Sequence, residues 1–318
     1  MLSLTDVEDA AAIVQTAMPP TAQYAWPLLA KRTRCEVWVK HENHTPTGAF
    51  KVRGGLVYMD RAKREQPGLK GVISATRGNH GQSIALAAGK VGIPATIVVP
   101  HGNSVEKNAA MKAFGAELVE AGHDFDAAKE AALRLAEERG LAMVPSFHRD
   151  LVRGVATYAL ELFRAAPALD TVYVPIGLGS GICGTIAVRD ALGLPTKVVG
   201  VVSTEAAAYA LSFAAGKVVA TNSADTMADG MAVRGPDAEA LDIILKGADR
   251  IVQVSDAEIG TAMRAYYEDA HQLTEGAGAA ALAALLQERE RMNGKRVGLV
   301  LSGGNIDRPV YLRVLGAG

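Results

Sequence analysis

The chain has 318 residues, of which 49% are hydrophobic and 21% charged, and its formal net charge is −1. That balance describes a soluble globular protein with enough length for two domains. Near-neutral charge and the lack of a long Lys/Arg run leave no electrostatic footprint for nucleic acid or an anionic membrane, so a small molecule is the expected partner.

In chain order, the N-terminus "MLSLTDVEDAAAIV" carries acidic residues where a signal peptide needs a basic region. Short β-rich runs then recur at 71–76, 95–100, 171–176, 197–203, 250–255 and 296–302, each followed by an amphipathic stretch of helical length. Strands apolar on both faces and alternating with helices predict an α/β fold with mostly parallel sheets covered by helices on both faces. Glycines in "AGKVGIPA" and "AFGAELVE" sit where helices should stop before strands. No repeat or low-complexity linker appears, and a boundary near 144–150 rests on length alone. The longest apolar stretch, "AGAAALAALL", is too short to span a bilayer. Cys35 and Cys183 form no CxxC pair and no His cluster stands at zinc spacing, so neither a disulfide framework nor structural zinc is expected, and a cytoplasmic location fits.

Three loops stand out. In "KHENHTPTGAFKVRGG" (40–55), Lys51 follows Phe50 and precedes Arg53 by two residues. A lysine against an apolar ring and near a second cation should have a lowered pKa, as a Schiff-base lysine requires. The alternative is a surface lysine snorkelling at a helix start. In "VPIGLGSGICGTI" (174–186), a glycine loop between strand and helix suits an anion at a helix N-terminus. Residues 179–184 also satisfy G-x-G-x-x-G, and Glu205 lies where a dinucleotide fold places its ribose-binding acid, so a Rossmann reading competes. The third loop, "LSGGN" (301–305), ends the last apolar strand, where open α/β sheets bind ligands.

Together, "TGAFKVRGG", "TRGNHGQ", "GLGSG", "TMADG" and "SGGN", in this order, resemble the serine/threonine dehydratase branch of the pyridoxal-phosphate enzymes of fold type II, the tryptophan synthase β-like group. The resemblance implies pyridoxal 5′-phosphate on Lys51, with Phe50 beside its ring. It implies a phosphate cup of Gly177, Leu178, Gly179, Ser180 and Gly181. Asn79 would meet the cofactor's 3′ oxygen with backbone help from Gly230, and Ser302 would face the pyridine nitrogen. Thr76, Arg77, Gly78, Asn79 and His80 match the clamp for a substrate carboxylate. The implied organisation is a large cofactor domain, 1–65 with 148–318, a small mobile clamping domain, 66–147, and a homodimer. The implied reaction is loss of water from a β-hydroxy amino acid of threonine, serine, 3-hydroxyaspartate or phenylserine type, giving a 2-oxo acid and ammonia. This set of residues also removes the dinucleotide alternative, since hydride transfer has no use for Lys51, Asn79 and Ser302 on separate strands.

The chain departs from the family at several points. Close relatives commonly carry alanine or serine before Gly-Asn-His, and in racemase-like members that serine is the second acid/base; here it is Arg77. An arginine is a poor proton shuttle, which ranks dehydratase above racemase. Arg77 could select a second substrate carboxylate, stack on an aromatic side chain, or point to solvent. The racemase metal pair is incomplete because Leu211 stands six residues after Glu205, so no bound metal is expected. Gly276 replaces the proline of the family's Glu-Pro segment, leaving the role of Glu275 open. The chain stops soon after "SGGN", so isoleucine feedback control is not expected. The rivals are a β-replacement synthase of the same fold and a non-enzymatic cofactor-binding regulator.

Overall fold

A computed structural model describes residues 2–317. In chain order the strands are β1 (Gln23–Ala25), β2 (Glu36–His41), β3 (Val72–Ala75), β4 (Ala95–Val99), β5 (Glu117–Glu120), β6 (Ala142–Met143), β7 (Thr171–Pro175), β8 (Lys197–Ser203), β9 (Arg250–Val254) and β10 (Arg296–Leu301). They form a six-stranded sheet, β1-β2-β10-β7-β8-β9, and a four-stranded sheet, β5-β4-β3-β6. Every pairing is parallel except β1 with β2.

All residues of β3, β4 and β7 are buried, which is why these strands read in sequence as unbroken apolar runs rather than alternating ones. Helices between them are delimited by local chemistry. Ser255 opens Asp256–Ala270 with a capping box completed by Glu258. Gly140, at φ 66°, closes Phe125–Arg139 in the left-handed conformation that favours glycine. No helix among the described residues is long and apolar enough to cross a membrane.

The strand order decides where chemistry can gather. β10 lies between β2 and β7, parallel to both, with Leu301 opposite His41 and Leu299 opposite Tyr173. The loops leaving the carboxyl ends of these three strands therefore emerge side by side. They are the segments around Lys51, Ser302 and Gly177. The fourth loop, Thr76–Gly78, leaves β3 of the other sheet and leads into the helix Asn79–Lys90.

The helix that begins at Lys51 is pressed against Arg149–Ala165 through two glycines. A Cβ on Gly154 would stand 2.2 Å from the Arg53 carbonyl oxygen, and one on Gly54 would stand 2.7 Å from that of Leu151. Both obstacles are backbone, so neither helix can yield cheaply. Gly154→Ala should cost about 1–3 kcal/mol in urea unfolding; an unchanged midpoint would mean the two helices separate freely.

Candidate active site

Lys51 opens its helix at the end of a tightly tied segment. The Phe50 N–H donates to the Ser302 carbonyl at 3.0 Å, Ala49 bridges Gly303, and the Gly304 N–H donates to the Gly48 carbonyl at 2.9 Å. The Glu275 N–H donates to the Gly303 carbonyl at 3.1 Å, bringing a fourth segment to the same place. Lys51 is half-buried, and loss of hydration lowers its pKa to about 8. Its Nζ donates to Ser180 Oγ at 3.1 Å and stands 5.1 Å from the centre of the Phe50 ring.

The expectation that Arg53 lowers the Lys51 pKa is not met. Arg53 is fully buried away from Lys51, held by Glu42 and Glu161, and desolvation is the cause of the lowering. The surface-lysine alternative also falls, because Nζ meets the glycine loop.

That loop fits a phosphate. Gly179 has φ 101°, and the first bond of Ser180–Ala191 runs from the Cys183 N–H to the Gly179 carbonyl. The N–H groups of Ser180, Gly181 and Ile182 precede that bond and have no acceptor within the helix, an arrangement that suits an anion. A Cβ on Gly177 would lie 2.4 Å from the Gly230 carbonyl oxygen, so the cup and the "ADG" turn touch backbone to backbone. The Tyr158 hydroxyl donates to the Gly181 carbonyl at 2.8 Å and Tyr209 to that of Leu178 at 2.9 Å, bracing the loop from behind.

On the other side stands the start of Asn79–Lys90. The first bond of this helix joins the Gln82 N–H to the Gly78 carbonyl, so the N–H groups of Asn79, His80 and Gly81 precede it. The Gly78 N–H is already committed, donating to Thr76 Oγ1 at 3.0 Å. His80 is buried, its Nε2 lacks a hydrogen-bond partner, and burial together with the nearby Lys51 charge lowers its pKa to about 3. Its imidazole is neutral at physiological pH. Arg77 is exposed, with no hydrogen bond or ion pair among the described residues.

Asn79 is fixed at both ends of its amide. Asn305 Nδ2 donates to the Thr47 carbonyl at 2.7 Å and to Asn79 Oδ1 at 2.8 Å, and Asn79 Nδ2 donates to Glu275 Oε1 at 2.7 Å. One Nδ2 hydrogen remains for a ligand. Glu275 is buried, and desolvation raises its pKa to about 7. At Gly276, which stands where the family has proline, a Cβ would lie 3.0 Å from Ala228 Cα, so the glycine allows a close backbone approach there.

Ser302 is buried at the end of β10, beside the Lys51 segment. Sequence reasoning missed Asn305, Glu275's bond to Asn79, and Lys107, whose Nζ donates to Asp229 Oδ2 at 2.5 Å. "SGGN" contained Asn305, yet its partner Asn79 is 226 residues away. No group of three or more His, Cys, Asp or Glu side chains placed to hold a metal ion occurs among the described residues.

A family profile described as "Pyridoxal-phosphate dependent enzyme" matches residues 14–303. The chain belongs to that family. Pyridoxal 5′-phosphate is accordingly its cofactor, and the half-buried lysine, glycine cup and remaining Asn79 hydrogen offer an amine, an anion site and a donor that fit it. The L-threonine ammonia-lyase of Thermotoga maritima is 34% identical over 322 residues, covering 100% of this chain and 79% of that protein. The L-threo-3-hydroxyaspartate ammonia-lyase of Saccharomyces cerevisiae is 32% identical over 311 residues, covering 98% and 95%. Among solved structures, threonine deaminase isoform 2 from Solanum lycopersicum superposes with a TM-score of 0.90 at 28% identity, covering 99% of this chain and 94% of that one. Maize serine racemase gives 0.92 at 26%, covering 99% and 97%.

Proposed function

We propose that this chain is an ammonia-lyase that removes water from a β-hydroxy amino acid and releases a 2-oxo acid and ammonia. The contact of Lys51 Nζ with Ser180 Oγ carries the reading, because it sets an amine of lowered pKa against an anion-binding helix start. When bound, pyridoxal phosphate supplies an aldehyde that links to amines and a conjugated ring that takes up charge.

The residues divide the remaining work. Ser180, Gly181 and the rest of the 177–181 loop would hold the phosphate, and Phe50 would flank the ring. Asn79 would offer its free Nδ2 hydrogen to the ring hydroxyl, with the Gly230 backbone alongside. Ser302 would meet the ring nitrogen with a hydroxyl, which does not enforce protonation there as a carboxylate would. The N–H groups of Asn79 and His80, at a helix start, receive the substrate carboxylate. Lys51 Nζ takes the α-proton, a task suited to an amine whose pKa of about 8 lies near the working pH. The family resemblance supports a homodimer, a large domain of 1–65 with 148–318 and a small closing domain of 66–147. A cytoplasmic location belongs to the same proposal.

Arg77 bears on substrate choice. It is exposed, unpaired among the described residues, and two residues before the carboxylate-binding helix start at Asn79. Similarity to both a threonine and a 3-hydroxyaspartate ammonia-lyase makes a second carboxylate the sharpest test. Ammonia and 2-oxo acid should appear in equal amounts when the enzyme is given its preferred member of threonine, serine, 3-hydroxyaspartate and phenylserine. Inversion of the amino acid without ammonia would replace the reading with racemase. If Arg77 reads the second carboxylate, Arg77→Ala lowers kcat/KM for 3-hydroxyaspartate about 10-fold or more relative to threonine. An unchanged ratio removes Arg77 from substrate selection.

A further inference from the structure

Lys107 is a buried lysine that the reaction outlined above does not use. It lies in the helix Val105–Ala113, which follows β4 of the four-stranded sheet, yet it reaches groups attached to the six-stranded sheet. Its Nζ donates to Asp229 Oδ2 at 2.5 Å and stands 3.6 Å from Glu275 Oε2, an ionic contact too long for a hydrogen bond. Glu275 Oε2 is left without a hydrogen-bond partner, while Oε1 accepts from Asn79.

The path of the lysine is built in. A Cβ on Gly78 would lie 2.6 Å from Lys107 Cδ, so the glycine before Asn79 leaves the room the side chain crosses. The start of the Lys107 helix is tied to the segment after "SGGN". Ser104 Oγ donates to Asp307 Oδ1 at 2.5 Å, and the Arg308 N–H donates to Glu106 Oε1 at 3.0 Å. A connected chain runs from the Thr47 carbonyl through Asn305, Asn79 and Glu275 to Lys107 and Asp229. Asn305 must donate to Thr47, so Asn79 Oδ1 must accept and Nδ2 must donate to Glu275.

We propose that Lys107 is a positioning residue: by holding Glu275 between itself and Asn79, it fixes the amide that meets the cofactor's hydroxyl, and it does so only while its helix is docked against Asp229 and Asp307. The proposal rests on the reading of Asn79 as a cofactor ligand. The groups facing Glu275 are Lys107 from the Val105 helix, Asp229 from the turn before Met231, and Asn79. Asp307 lies near Lys107 and acts on it in turn.

The signs of these influences supply the test. Burial raises the Glu275 pKa, Lys107 opposes that rise, and Asp229 adds to it. Lys107 itself is raised: burial lowers it, but the two carboxylates it serves outweigh burial. The readout is the pH titration of the visible absorption band of the resting holoenzyme, without substrate. In the wild type the band should change with a midpoint near neutrality. Lys107→Met should move the midpoint up by about one unit or more, and Asp229→Asn should move it down. Lys107→Arg should restore it, and Glu275→Gln should abolish it. Cofactor affinity, measured by equilibrium dialysis, should fall in Lys107→Met and recover in Lys107→Arg.

A shift of the same sign in Lys107→Met and Asp229→Asn, or a midpoint that survives Glu275→Gln, overturns the proposal while leaving the cofactor site intact. A wild type with no visible band from lysine-linked cofactor overturns the underlying reading instead.

Discussion

Lys51→Ala should lose the visible absorbance of lysine-linked cofactor and lower ammonia release by about 10³-fold or more. Two functions end in one substitution, since the same amine anchors the cofactor and takes the α-proton. Stability should hardly change. Lys51 is half-buried and its one side-chain hydrogen bond goes to Ser180, so truncation removes little packing and one neutralisable charge. A urea midpoint near the wild type, together with lost absorbance, separates this outcome from misfolding. Lys51→Arg, which keeps a cation but no nucleophilic amine, should fail in the same way. Full ammonia release from either variant would remove Lys51 from the chemistry and leave the glycine cup without its partner.

The α/β class was legible because parallel strands covered on both faces must be apolar throughout, as "ATIVV" in β4 and "TVYVP" in β7 show. Strands that escape this rule were harder to see. β1 spans three residues at a sheet edge and is partly exposed, and β6 spans two. The site loops could be found singly, since each follows a strand end, but their meeting depends on β10 inserting between β2 and β7. Nothing local in "RVGLVL" reports that position. The same limit hid the side-chain partners. Lys107 sits among Glu106 and Asn108 as an ordinary helical lysine would, while Asp229 is 122 residues away. Arg53 misled because its nearest cation in sequence is Lys51, whereas its partners in space are Glu42 and Glu161. Resemblance to a family bridged part of this gap by carrying positions over together.

The Arg53 cluster yields the second large expected effect. Arg53 Nε donates to Glu42 Oε2 at 2.7 Å and its Nη1 to Glu161 Oε1 at 2.7 Å, with Arg53 and Glu42 both fully buried. Lys40, also fully buried, adds a second cation 2.6 Å from Glu161 Oε2. Burial alone would raise the Glu42 pKa; the Arg53 charge and hydrogen bonds, with help from Lys40, outweigh it and hold Glu42 below its ordinary value. Arg53→Met keeps much of the volume but leaves Glu42 desolvated and without its main counter-ion. The expected loss is about 3–5 kcal/mol in urea unfolding near pH 7, a large part of a typical domain's stability. The sign of the pH dependence follows from the lowered pKa. In the wild type, the Glu42 contribution is complete above the ordinary glutamate range and disappears as pH falls through its depressed folded value. In Arg53→Met burial is less opposed, so Glu42 takes up a proton at higher pH on folding and the penalty shrinks on acidification. The gap between the two proteins should therefore narrow from about pH 7 to pH 5. Adding Glu42→Gln to Arg53→Met should return part of the loss, because a neutral amide costs less to bury than an unpaired carboxylate. Equal losses in the single and double variants would show that the cluster acts through packing rather than charge.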